Sequence, residues 1–158
     1  MRRLIVAFAV VAFLVVVLAG PAGAASQGRT VVARISGGGT AAMQAGGLAQ
    51  GTTHWGAGVT LYSDGTASGQ IDCVDQHGGN FPGNIFGEVT SWSREGTTIV
   101  LNVVGKFVGQ GGHPEDVSFT VKIQQFGGAG EGRWTLEVGP FLFCVEVVTS
   151  GQIVYRPA

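Results

Sequence analysis

The chain predicts an all-β fold: an antiparallel up-and-down barrel of about eight strands, with a β-sandwich as the alternative. Three observations carry this. Apolar residues recur at every second position in several segments, turn signals separate those segments every 8 to 12 residues or so, and no amphipathic helix pattern follows residue 24. Near-neighbour hairpins favour a meander that closes on itself over a two-sheet sandwich.

Taken in order, Val31, Ala33 and Ile35 alternate ahead of Gly37-Gly38-Gly39, which has the composition of a turn. Ile99, Leu101 and Val103 share one face of a strand, with Thr98, Val100 and Asn102 on the other. The clearest alternation runs from Val117 to Gln125, where Val117, Phe119, Val121 and Ile123 oppose Ser118, Thr120, Lys122 and Gln124. Trp134, Leu136 and Val138 oppose Arg133, Thr135 and Glu137 in the same way. Further turn signals stand at Asp64-Gly65, Gly78-Gly79-Asn80, Glu95-Gly96, Gly109 to Pro114, Gly127 to Gly130 and Gly139-Pro140.

The hairpin around Asp64-Gly65 fixes a register. A two-residue loop would mix apolar and polar residues on both faces. A three-residue loop, Ser63-Asp64-Gly65 with Gly65 left-handed, pairs Tyr62 with Thr66. Trp55, Ala57, Val59 and Leu61 then lie opposite Cys73, Ile71, Gly69 and Ala67, and the faces separate cleanly. Phe141 to Val148 is harder to orient. If Cys144 points inward then Glu146 does too, and a bulge near Gly139-Pro140 would reverse this.

The N-terminus reads as an export signal. Arg2 and Arg3 precede an uncharged run from Leu4 to Ala19, Gly20-Pro21 breaks the helix, and Ala22-Gly23-Ala24 forms an A-x-A cleavage site. The apolar run is short of the roughly 20 residues that a membrane span needs. Cleavage after Ala24 would leave residues 25–158 as a single all-β domain, secreted or otherwise extracytoplasmic, with no stable membrane insertion. Net charge is −1 for the whole chain and −3 once Arg2 and Arg3 are removed. Nothing here suggests nucleic acid, which calls for a clustered basic surface. Two of the 28 glycines precede the cleavage site; the rest are scattered among β-branched and aromatic residues, as suits tight turns and bulges.

Cys73 and Cys144 are the two cysteines. In an oxidising compartment an even pair is expected to form a disulfide, worth roughly 4 kcal/mol for a loop this long in the chain-entropy model. Catalytic signatures are absent: no G-x-S-x-G elbow, no H-E-x-x-H, no phosphate loop. Ser68, in Gly65-Thr66-Ala67-Ser68-Gly69, falls one place late for an elbow. No cofactor is called for.

Four weaker constellations remain. Asp72, Asp75 and His77 offer oxygen and imidazole ligands for a divalent ion, or are polar turn residues. His113, Glu115 and Asp116 form a similar group beside Pro114, where a solvated loop is the favoured reading. Trp55, Phe86, Trp92 and Glu146 would line one ligand site, with Phe81 as a further aromatic of an apolar cavity, or the aromatics are ordinary core. An inward Glu146, partnered by His54 or a tyrosine, would be the best acid/base candidate, because burial raises a carboxyl's pKa; Glu88 is the other carboxylate that a barrel interior would make reactive. The expected role is binding or structural, toward an extracellular or cell-wall partner. The alternative is a small barrel enzyme or carrier acting on an apolar small molecule.

Ile35-Ser36-Gly37-Gly38-Gly39, Ser63-Asp64-Gly65-Thr66, Cys73, and Val104-Gly105-Lys106-Phe107 followed by Val117 to Gln125 resemble exported bacterial β-proteins of the post-COAP-domain type. Gln125 to Trp134 departs from them, with Glu131 the one acidic residue in the turn. The resemblance implies an exported, single-domain, all-β protein and brings no catalytic residue with it.

Overall fold

Eight strands, each apolar at alternate positions, give the chain one continuous surface to bury, and closing the sheet on itself is what buries it. The computed structural model describes residues 28–45, 48–75, 83–109 and 112–158. It is a closed antiparallel barrel in which every strand pairs with its sequence neighbours and the last pairs with the first. The strands are β1 (Val31–Ala45), β2 (Leu48–Tyr62), β3 (Ala67–Asp75), β4 (Gly83–Glu95), β5 (Thr98–Val108), β6 (Pro114–Gln125), β7 (Arg133–Val138) and β8 (Phe141–Pro157). The described residues contain no helix. The expected signal segment, residues 1–24, lies outside them.

The expected alternations fix which side chains enter the barrel. Ile99, Leu101 and Val103 of β5 and Phe119, Val121 and Ile123 of β6 are all buried, and they face one another in register. On β7, Trp134 and Leu136 are buried as expected, while a register shift after Leu136 leaves Val138 half-buried. Eight strands make an interior just wide enough for side chains to fill. Here they fill it, with Trp55 and Trp134 meeting at 6.2 Å between ring centroids.

The β2–β3 hairpin takes the three-residue loop. Tyr62 N–H donates to Thr66 C=O at 3.0 Å, and Gly65 N–H to Tyr62 C=O at 3.1 Å. Gly65 has a φ of +82°, the left-handed conformation that glycine adopts without steric cost. Trp55 pairs with Cys73 and Val59 with Gly69. Asp64 closes the turn, accepting from the Thr66 hydroxyl and from Thr66 N–H at 2.9 Å. Those two bonds hold its carboxyl below the usual range.

Gly37-Gly38-Gly39 is not a turn: β1 runs through it to Ala45. Gly37 falls on the inward track, where a Cβ would meet the Trp55 ring at 2.6 Å and Gln152 C=O at 2.5 Å. The missing side chain is the space that the indole occupies.

One end of the barrel carries the β2–β3, β4–β5 and β6–β7 turns, and the other carries the remaining connections. At the first end Trp92 acts as a stopper. A bulge between Val89 and Ser91 puts it opposite the buried Leu101, and its indole N–H donates to Tyr62 C=O at 2.8 Å.

Candidate functional site

The sequence candidates do not converge on one place. Trp55 and Glu146 are buried in the interior, Trp92 closes one end, and Phe86 lies on the outer wall, 42% exposed. Phe81 lies outside the described residues. The four residues expected to line one ligand site, Trp55, Phe86, Trp92 and Glu146, are therefore split between inside and outside. The reason is parity: Phe86 is out of phase with the buried Ile85 and Val89 of its own strand.

Two members of the divalent-ion set are split in the same way. Asp72 is exposed and out of phase with the buried Cys73, whereas Asp75 lies on the inward track and lines an interior cavity. His77 lies outside the described residues. Among the described residues no group of three or more His, Cys, Asp or Glu side chains could hold a metal ion. His113, Glu115 and Asp116 are exposed, but Pro114, Glu115 and Asp116 belong to β6 and pair with β5 instead of forming a loop, and Asp116 forms an ion pair with Lys106. Glu88 is exposed on the outer wall.

What the fold does assemble is an interior polar cluster around Glu146. A register shift does fall ahead of Cys144, since Leu136 pairs with Cys144 and Glu137 with Leu142, and beyond it Cys144, Glu146 and Val148 all point inward and are buried. Glu146 is 0% exposed. Its neighbours in register are Trp134 on β7 and Met43 on β1. Its hydrogen-bond partner is neither His54, which is exposed, nor a tyrosine, but Thr53, whose hydroxyl donates to Oε2 at 2.9 Å. Thr53 sits on β2 and Glu146 on β8, the two strands flanking β1. They meet across Ala41, the residue of β1 that pairs with Thr53, and its small side chain leaves the path open. Among the described residues Oε1 has no hydrogen-bond partner.

Thr53, Cys73, Asp75, Cys144 and Glu146, with Met43, Ile85, Phe107 and Phe143, line a cavity of about 20 Å³. That is room for about one water molecule. Burial drives the Glu146 carboxyl up to about 7; the Thr53 hydroxyl and the Cys144 thiol oppose the rise, and the nearby Asp75 charge adds to it. A carboxyl poised there gains or loses its proton near neutrality, which is the property general acid/base chemistry needs.

The expected Cys73–Cys144 disulfide is not formed: both cysteines are free thiols and both are buried. They stand on β3 and β8, strands that share no ladder. Across the interior each sulfur is engaged by oxygen instead, Cys73 by the Thr53 hydroxyl and Cys144 by the Glu146 carboxyl. Burial, reinforced by the Glu146 charge, pushes both thiols well above their ordinary value. Since the thiolate is the nucleophile, neither is expected to react with iodoacetamide at pH 7.5 in the folded protein. Both should be alkylated in guanidinium chloride without reductant, which intact-mass analysis would read as two adducts. A mass that changes only after reduction would contradict the free-thiol interior.

Thr53 was the one partner that sequence reasoning missed. It lies two residues before Trp55, so the hairpin register that places Trp55 inward also places a lone hydroxyl on an otherwise apolar track.

No family model, curated protein or solved structure matches the chain. The site therefore has to be read from its own geometry.

Proposed function

We propose that this protein is an exported β-barrel module with a binding or structural role, in which the interior is a packed core and the outer wall is the contact surface. The observation that carries the reading is the size of the cavity beside Glu146. About 20 Å³ holds a water molecule, whereas small-molecule sites run to several hundred Å³, roughly 300 at the low end. The two indoles packed together at the centre of the barrel support the same conclusion. The export signal, the small net negative charge and the scarcity of charged residues suit an extracellular or cell-wall partner and argue against nucleic acid.

A second reading is favoured by one specific observation. Glu146 Oε1 is buried without a partner among the described residues, and Glu146 lines a small interior cavity. A carrier or enzyme that opened this cavity to a small apolar molecule would have a proton-exchanging carboxyl ready.

Native mass spectrometry of the purified protein, followed by organic extraction, separates the two. The packed-core reading expects the mass of the bare polypeptide and an empty extract. A stoichiometric small molecule that is lost on Thr53→Val or Glu146→Gln substitution would establish the carrier reading instead.

A further inference from the structure

The barrel wall is not paired along its whole circumference. The β3–β4 ladder runs from Asp75↔Gly83 to Gln70↔Glu88 and stops there. Beyond it, the two segments meet again at the bridge Thr66↔Ser91, where Trp92 N–H donates to Gly65 C=O at 2.9 Å and Ala67 and Thr90 form the other flank. Ser68 and Gly69 on one side and Val89 on the other stand in the gap. In an antiparallel ladder, successive residues turn their N–H and C=O groups to alternate sides. Thr66 C=O accepts from Tyr62 N–H on β2, so Ala67 and Gly69 turn theirs toward β4. Val89, in phase with Gly87 opposite Ile71, turns its groups back toward β3.

Two local features hold the gap open. Gly69 has a φ of +129° and lies so close to Gly58 C=O on β2 that no Cβ fits, which ties β3 to β2. The bulge between Val89 and Ser91 bends β4 at the same level.

A furrow of about 520 Å³ lies over the gap, flanked by Arg29, Thr66, Ser68, Gln70, Glu88 and Thr90. Past Gln70 and Glu88 it continues into a depression of about 280 Å³, walled by Asp72, Phe86 and Val104. Val104 is 57% exposed. At the other end Arg29 stacks over the Tyr62 ring at 4.1 Å, and the Tyr62 hydroxyl holds Ser68 at 3.0 Å.

We propose that this seam is a binding site for a neutral polyhydroxylated ligand, an oligosaccharide chain. The inference rests on the binding reading above and names the class of partner. The backbone of Gly69 and Val89, which no β3–β4 pairing covers, the Gln70 carboxamide and the Glu88 carboxylate offer donors and acceptors side by side, as vicinal hydroxyls require. The exposed Phe86 ring offers a flat apolar surface on which the C–H face of a sugar ring can rest. One cation, Arg29, stands among two carboxylates, Asp72 and Glu88, so a strongly charged ligand of either sign meets a like charge. An added peptide strand is disfavoured because it needs a run of free backbone positions, and β3 turns only Gly69 into the gap.

The test is a titration of ¹⁵N-labelled protein with cellohexaose, chitohexaose and maltohexaose at millimolar concentration, followed by amide shifts. At least one sugar is expected to move the amides of Ala67 to Gln70 and of Val89 and Thr90. The pair Phe86→Ala and Gln70→Ala, both at exposed positions, should each weaken that binding by about tenfold while the folded amide spectrum is retained. Silence of the seam with all three sugars would overturn the proposal, as would shifts confined to the Glu146 region. Shifts at the same amides with the hexapeptide acetyl-TVTVTV but with none of the sugars would overturn it in favour of a peptide. A small molecule found inside the barrel would sink the parent reading while leaving the seam result to stand or fall by itself.

Discussion

Replacing Glu146 with glutamine is expected to stabilise the barrel above neutral pH and to remove most of the fall in stability between weakly acid and neutral solution. The sign follows from proton binding. The carboxyl titrates at 4.5 in its ordinary state and at about 7 when buried in the folded barrel. Between those values the native state holds a proton that the unfolded chain has released. Stability therefore declines as pH rises from 4.5 and levels off once the folded carboxyl has ionised. A shift of this size corresponds to about 3 kcal/mol at pH 8 and above. Glutamine keeps the shape and an oxygen for the Thr53 hydroxyl but cannot ionise. Urea unfolding at pH 5 and pH 9 is the check: the natural protein should lose about 3 kcal/mol between the two and Glu146→Gln much less. Equal slopes would mean that Glu146 is hydrated in the folded state. The exposed Asp64 and Asp116, both lowered, act in more acid solution, below 3.8. There stability is lost as pH falls through their folded values, so they do not act between pH 5 and 9, and the buried thiols, raised from an ordinary 9.0, add to the decline only as pH nears 9.

The second large effect concerns the indole at the centre of the barrel. Trp55 is 6% exposed, packs against Trp134, and fills the space above Gly37. Trp55→Ala is expected to cost about 3–5 kcal/mol, the range for emptying a buried aromatic site. The converse change, Gly37→Ala, adds a methyl group 2.6 Å from the ring and 2.5 Å from Gln152 C=O. Overpacking of this kind costs about 1–3 kcal/mol. The clash has a backbone component that shrinking the ring does not relieve. The double variant Gly37→Ala with Trp55→Phe should therefore recover only part of the loss. Thermal and urea unfolding of the three variants measure this. A neutral Gly37→Ala would show that the indole does not lie over β1.

What could be read in the sequence depended on whether a decision was local. The β2–β3 register followed from loop length alone, because a three-residue turn separates apolar from polar faces and a two-residue turn does not. The inward tracks of β5 and β6 were visible for the same reason, as period two is a property of each strand by itself. Gly37-Gly38-Gly39 was misleading because glycine marks either a turn or a place where a large side chain from another strand needs room. The ring that needs the room is 18 positions away, at Trp55. The polar cluster was hidden more deeply. Thr53 and Glu146 belong to strands on either side of β1, and only closure of the barrel makes them neighbours. The cysteines shared that difficulty: their number and expected compartment argued for a bond, while their environment is set by Thr53 and Glu146. Trp55, Phe86 and Trp92 were grouped by type, and strand parity together with the Val89–Ser91 bulge separated them. The gap between β3 and β4 has no sequence signature beyond Gly69, because unpaired backbone depends on what both neighbouring strands do.

The central claim is that the barrel interior is closed and packed, with the Glu146 carboxyl buried inside it. The most direct measurement is the titration of that carboxyl, by ¹³C-edited infrared or NMR spectroscopy of protein labelled at the Glu δ-carbon, with Glu146→Gln to assign the signal. A packed interior predicts that the Glu146 signal stays protonated through pH 5 and 6 and titrates near 7. Titration at 4.5, the ordinary value of a solvated glutamate, would mean that water or ligand reaches Glu146, and would contradict the closed interior.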